Sequence, residues 1–263
     1  MMLLEAVLRR ERLMLSLALA VVAGLAWVYI WQGAGMGMPA WDMTAASLFP
    51  HRQPDVPGSM GGSWLLVIAM WWVMMIAMMT PGAAPLILLH RRVLASHAMH
   101  ASNAATSSAT LLVGYLIAWL GFSIAATALQ KALQPAGLLS DMMWWSRSAP
   151  LSAALLAAAG VYQWSPWKRA CLSHCRNPVT FLTAHARPGL RNALVLGIRH
   201  GAWCVGCCGL LMALLFVGGI MNVLWIAALT VLALSERLLP NGESVGRVTG
   251  GVLILWAVVT LAV

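Results

Sequence analysis

Seven stretches of the chain, at residues 13–31, 64–89, 110–130, 150–164, 201–217, 221–238 and 249–263, are apolar almost throughout. About 20 residues of helix, rising 1.5 Å each, cross the roughly 30 Å hydrocarbon layer of a bilayer. No water is present there to satisfy backbone polar groups, so such runs must be helical. Only 9% of the residues are charged and 61% are hydrophobic, too little charge to cover a soluble globule of 263 residues. The expected fold is all-α: a polytopic transmembrane helical bundle of about seven spans, a single domain over residues 1–263. The fourth run is short. The fifth and sixth are joined by Gly218-Gly219-Ile220, which predicts a tight helical hairpin.

The net charge of +9 would suit nucleic acid if it lay on one soluble face. Instead the basic residues fall between the apolar runs, where they act as topology signals. With the N-terminus inside, the inner segments hold Arg9, Arg10, Arg12, Arg91, Arg92, Lys168, Arg169, Arg176, Arg187, Arg191, Arg199, Arg237 and Arg247. The outer ones hold Arg52, Lys131 and Arg147, a split of 13 to 3 among the 16 Lys and Arg. This excess predicts a cytoplasmic N-terminus and an outer C-terminus. Leu13–Trp31 is longer than a signal-peptide core and no small-residue cleavage site follows it, so it reads as a retained first helix.

The fifth run and its entrance read Gly197-Ile198-Arg199-His200-Gly201-Ala202-Trp203-Cys204-Val205-Gly206-Cys207-Cys208-Gly209. At helical spacing, His200, Cys204, Cys207 and Cys208 share one face. Thiolate and imidazole are soft or borderline donors, suited to Cu(I) or Zn(II) rather than Mg(II) or Ca(II). Free cysteine is also a good small packing residue, but four such groups on one face favour a metal or redox role. The preceding inner loop places Cys171 and Cys175 four apart, with His174 between them. On a short helix both sulfurs face one way. Lys168, Arg169 and Arg176 are expected to favour the thiolates, and a reducing cytosol argues against a structural disulfide. A metal site or a reactive dithiol is expected there, against two unrelated thiols.

The second run contains Met70-Trp71-Trp72-Val73-Met74-Met75-Ile76-Ala77-Met78-Met79-Thr80-Pro81. Met70, Met74 and Met78 form one stripe, and Met75 and Met79 an adjacent one. Such stripes commonly pack cores. Counting helix rise from the inner surface puts Met75, Met78 and Met79 roughly 8–14 Å deep and Cys204 to Cys208 roughly 6–12 Å deep. The two sulfur sets can therefore share a level, near which Pro81 and Pro85 bend the helix and free carbonyls. A sulfur-rich pocket would prefer Cu(I) over Zn(II). Glu236 is either functional or else paired with Arg237 or snorkelling at the interface. His90, His97 and His100 are expected to be solvated, and the 14 tryptophans to mark interfaces. In the outer loop 32–63, Met36, Met38, Met43 and Met60 serve either a plain connector or soft metal ligands.

Three stretches together resemble a bacterial family of predicted metal-binding integral membrane proteins, long catalogued as a domain of unknown function. They are the Met-Trp helix Met70–Pro81; Gly160–Pro178 with Tyr-Gln and Cys171-x-x-x-Cys175-Arg; and Gly197–Glu236 with His-Gly, Cys-x-Gly-Cys-Cys and the closing Glu-Arg. The resemblance implies metal binding at these cysteines and His200, and no catalytic role is carried over from it; the expected location is the cytoplasmic (inner) membrane of a bacterium.

The expected function is metal handling, with copper favoured: transport, delivery or cuproenzyme assembly. Cys204, Cys207, Cys208 and His200 would be the intramembrane ligands. Cys171 and Cys175 would receive or release the ion, and Met75, Met78 and Met79 would pass it on. The lipid bilayer and a metal chaperone or membrane metalloenzyme subunit are the expected partners; nucleic acid is not. One alternative is a membrane thiol–disulfide oxidoreductase cycling Cys171–Cys175 or Cys204–Cys207. Against it, no cysteine lies on the outer side. Another is a structural subunit of a larger membrane complex.

Overall fold

The computed structural model describes residues 2–34, 41, 42, 44, 63–96, 101–140, 144–187 and 189–262. Met36, Met38, Met43, Met60, His97 and His100 lie outside them. The described elements are α1 (Met2–Trp31), α2 (Trp64–Ser96), α3 (Ala101–Leu133), α4 (Ala149–Trp164), α5 (Pro166–Arg176), α6 (Pro178–His185), α7 (Leu190–Ala213), α8 (Leu215–Gly218), α9 (Val223–Leu238) and α10 (Gly242–Ala262). The only β pairing among the described residues is an isolated bridge between Leu139 and Ser146.

Five segments are long and apolar enough to cross a membrane: Leu13–Trp31, Trp64–Leu94, Asn103–Leu133, Leu190–Gly218 and Gly242–Ala262. The expected fourth and sixth spans are helices too, α4 and α9, but each has 16 residues, about 24 Å of rise. Four helices, α1, α3, α7 and α10, begin earlier than the apolar runs suggest. α3 starts at Ala101 and α7 at Leu190, because turns bearing Ser, Thr or Arg extend the helix beyond the apolar stretch. The segment read as an inner loop is α5 and α6. Pro166 and Pro178 take the first helical position, where a missing N–H costs nothing, and Ser165 Oγ caps the Lys168 N–H at 3.1 Å. The predicted hairpin is present: α8 ends at Gly218 and Gly219 turns the chain with φ 93° into α9.

Glycines set the closest helix approaches. A Cβ on Gly114 would run into the Leu194 carbonyl, one on Gly197 into that of Leu111, and one on Gly201 would lie 2.9 Å from that of Tyr115. α3 and α7 thus meet backbone to backbone along Gly197-x-x-x-Gly201, the small-residue crossing that membrane helices favour. α4 and α10 repeat the device, since a Cβ on either Gly160 or Gly250 would come 2.9 Å from the other's carbonyl. Leu13, Leu17, Val21 and Leu25 of α1, and Val248, Val252, Leu255 and Val259 of α10, leave apolar faces uncovered, as lipid contact requires.

Two expectations about polar side chains fail. Trp71, Trp119 and Trp144 are fully buried rather than interfacial. Trp71 Nε1 donates to Gln130 Oε1 at 2.8 Å, which satisfies its polar end inside the core. His90 is buried as well, with Nδ1 3.3 Å from Ser108 Oγ, rather than solvated.

Candidate metal centre

α7 carries three of the five cysteines into the interior. Cys204, Cys207 and Cys208 are all buried, and all five cysteines are free thiols. Cys207 Sγ lies 3.4 Å from Cys208 Sγ and 3.2 Å from the Cys204 carbonyl. α5 lies across this face and brings Cys175 Sγ to 3.8 Å from Cys207 Sγ. Cys171, one turn earlier, packs on Gly206, where a Cβ would stand 2.9 Å from its sulfur. The loop thiols and the helix thiols, expected as two stations, therefore face each other.

The point on which the sulfurs converge holds a side chain that the sequence presents only as a topology signal and as a candidate partner for Glu236. Arg237 of α9 is 5% exposed, and its Nη2 lies 2.8 Å from Cys204 Sγ, 3.0 Å from Cys208 Sγ and 3.4 Å from Cys207 Sγ. Its Nε has no hydrogen-bond partner among the described residues. Its Nη1 packs on Gly82 of α2, where a Cβ would stand 2.8 Å away. Glycine beside Pro81 thus leaves room for the guanidinium. Among the described residues, no three His, Cys, Asp or Glu side chains are gathered in an arrangement ready to hold a metal ion. A metal bonded to cysteine sulfur sits at about 2.3 Å. An ion held by these three sulfurs must share the space of Nη2 or displace it. The donors have the soft chemistry that Cu(I) prefers.

Glu236 does not pair with Arg237. Successive residues on a helix point about 100° apart, and Glu236, fully buried, accepts from Lys168 Nζ at 2.6 Å and from Gln163 Nε2 at 3.0 Å. Lys168 Nζ also donates to Gln163 Oε1. This closed network ties the ends of α4 and α9 to α5 and leaves Arg237 to the sulfurs. Arg176 is likewise engaged, donating to the Leu239 and Pro240 carbonyls at 2.9 and 2.6 Å. The cations expected to favour thiolate at Cys171 and Cys175 are thus partly spent elsewhere, and the shift runs the other way. Burial pushes the Cys171 thiol up. Cys175 is held well above its ordinary value because its S–H donates toward Cys204 and Cys207, with burial adding to the effect.

His200 is one turn before Cys204 and 2% exposed. Its ring lies 5.8 Å from that of Tyr115 and 5.3 Å from that of Phe181, and its Nδ1 has no partner among the described residues. Met75, Met78 and Met79 are buried in the same core. One link from their helix to the thiols runs through backbone: Tyr115 Oη donates to the Met79 carbonyl at 3.0 Å and contacts Cys204 Sγ at 3.0 Å. Tyr162, part of the Tyr-Gln pair in the resemblance, donates its hydroxyl to the Gly206 carbonyl at 2.7 Å, whereas Tyr115 carries no signal in the sequence beyond its type.

A family model described as a copper chaperone, PpoB2, matches residues 68–260. The chain belongs to the PpoB2 copper chaperone family. The match takes in every cysteine, the methionine helix, His200 and Arg237. No curated protein and no solved structure shows significant similarity to it. In this PpoB2 family member, the helices that carry those three stretches are the ones that meet around Arg237: α2 through Gly82, α5 through the contact of Cys175 with Cys207, and α7 with α9 through the sulfurs and the guanidinium.

Proposed function

We propose that this protein carries Cu(I) as cargo within the bacterial inner membrane and passes it to a metal chaperone or to a membrane metalloenzyme under assembly. Cys204, Cys207 and Cys208 are its principal ligands, Cys175 the hand-off thiol on α5, and Cys171 a reserve donor behind it. His200 and the thioethers of Met75, Met78 and Met79 complete the surroundings. The observation that carries this reading is the convergence of three buried sulfurs on one point, with a fourth from another helix 3.8 Å from Cys207. Soft donors select Cu(I) over Mg(II) and Ca(II), and thiolate with thioether favours it over Zn(II). The family's description supports the choice of copper.

Within the site, Arg237 holds the empty sulfur set together, and its guanidinium withdraws when an ion enters. The closed Lys168–Glu236–Gln163 network keeps the ends of α5 and α9 in place meanwhile. The chain crosses the membrane seven times with its N-terminus in the cytoplasm, which puts α5, α6 and the thiols beneath the inner surface.

Purified protein carrying Cys207→Ser and Cys208→Ser tests the reading. Copper and zinc are measured together by mass spectrometry after loading the detergent-solubilised chain with Cu(I). Wild type should retain copper and little zinc, and the double variant should retain neither. Equal copper in both proteins would remove the basis for the proposal.

A further inference from the structure

Two histidines outside the sulfur set share an open pocket. His174 of α5 and His185 of α6 line a cavity of about 220 Å³ together with Ser173, Asn177, Thr180 and Phe181. His174 Nδ1 lies 2.8 Å from the Ala170 carbonyl, and His185 Nδ1 lies 3.0 Å from the Phe181 carbonyl. A carbonyl can only accept, so each Nδ1 carries a proton, and the tautomer that this selects has its lone pair on Nε2. Metal-binding histidines are oriented in this way, with the second ring nitrogen donating to a carbonyl. The face of His174 stacks on Trp203, with centroids 4.3 Å apart and planes 7° apart, which fixes the ring and leaves its in-plane nitrogen free of the stack.

The pocket also leads somewhere. Phe181 has three imidazoles around it, at centroid distances of 6.5 Å for His174, 5.0 Å for His185 and 5.3 Å for His200. His200 is buried with Nδ1 unpartnered among the described residues, and it packs on Tyr115, which touches Cys204. His174 is followed in the chain by Cys175, whose sulfur reaches Cys207. Among the described residues no carboxylate lines the pocket, so a hard cation such as Ca(II) or Mg(II) finds no suitable ligand there. Imidazole suits Cu(I), Cu(II) or Zn(II).

We propose that His174 and His185 form a second, nitrogen-donor cation site, a staging position from which an ion passes by His200 and Cys175 to the sulfurs. Two protein ligands leave open coordination positions, as a site that must release its ion requires. The staging role rests on the copper reading above; the nitrogen site itself does not.

The test uses the full chain in detergent, titrated with Cu(I) and read by metal stoichiometry and by X-ray absorption, which separates sulfur from imidazole ligation. His174→Phe keeps the stack on Trp203 while removing the lone pair, and it is combined with His185→Gln. Wild type should bind a sulfur-ligated ion and a second, imidazole-ligated one. The double variant should keep the first, which also reports that it is folded, and weaken the second at least about tenfold, the loss that even outer-layer partners of a metal site cause. A Cys204→Ser, Cys207→Ser, Cys208→Ser variant should show the reverse. Two ions in the histidine variant, or only a sulfur-bound ion in wild type, overturns the second site. Two ions retained by the cysteine variant instead overturns the sulfur site and leaves the histidine site standing.

Discussion

Arg237 is the residue on which the geometry depends most. A guanidinium is charged at any accessible pH, and burying a charge without partners is costly. Its neighbour Glu236 is taken by Lys168, and its acceptors are the three sulfurs and, at 3.5 Å, the Cys204 carbonyl. A hydrogen bond to a charged group contributes about 1.5–3 kcal/mol. Arg237→Gln should therefore lower stability in detergent by about that amount, seen as an earlier thermal midpoint of the metal-free protein. Arg237→Lys should recover only part of it, because the lysine stem is one atom too short to carry its nitrogen to the place of Nη2, from which all three sulfurs are reached. An unchanged midpoint for Arg237→Gln would mean that the sulfur contacts contribute nothing. The sequence displays all five thiols and His200 through their helical spacing. It hides Arg237, which reads there as a partner for Glu236 although adjacent helix residues do not face each other. Lys168, the true partner, is 68 positions away from Glu236, a separation that no local pattern carries.

The α3–α7 crossing is the element that sets the depth of His200 and Cys204. Gly114, Gly197 and Gly201 let the two backbones touch, so any side chain at Gly197 must push against the Leu111 carbonyl rather than against a flexible group. Overpacking of this kind costs about 1–3 kcal/mol. Gly197→Ala should lose stability in that range and, by pushing α7 off α3 and so displacing its thiols, also weaken copper retention. Gly121 lies on α3 with nothing within 4 Å of the place an added methyl group would occupy, so Gly121→Ala should be neutral or slightly stabilising. Equal thermal midpoints for the two variants would show that the crossing tolerates a methyl group. Helix type is legible here because apolar runs in a bilayer have one backbone solution. The ends are not: Arg191 and Arg199 interrupt the hydropathy of α7 without interrupting its hydrogen bonds, so the apolar run begins at 201 while the helix begins at Leu190. The crossing itself is written as Gly197-x-x-x-Gly201, a pattern overshadowed by the cysteines that follow it.

At the scale of the whole molecule, the path through the membrane turns on two helices of 16 residues, α4 and α9. Suppose that only the five long segments cross and the N-terminus is inside. Arg9, Arg10, Arg12, Arg91, Arg92, Arg237 and Arg247 are then inner, and Arg52, Lys131, Arg147, Lys168, Arg169, Arg176, Arg187, Arg191 and Arg199 are outer, a split of 7 to 9 that reverses the usual bias. That route also puts Lys168 and Glu236 on opposite surfaces, although their side chains are 2.6 Å apart. With seven crossings the split is 13 to 3 and the pair lies on one side. A helix of about 24 Å can cross where flanking Trp, Lys and Arg reach for the interface or the bilayer thins around it. Trp164, which closes α4, and Trp167 and Arg169 just beyond it are exposed and serve the first, and Trp164 Nε1 is anchored to the Arg247 carbonyl at 3.0 Å. Reporter fusions decide between the routes. Alkaline phosphatase, active only outside the cytoplasm, should be active when fused after Gly137 and inactive after Arg187, since α4 lies between them; a cytoplasmic fluorescent reporter should give the opposite pattern. Activity at both positions would leave α4 lying on one side and put the thiols of α5 on the outer surface, where a reducing cytosol no longer protects them.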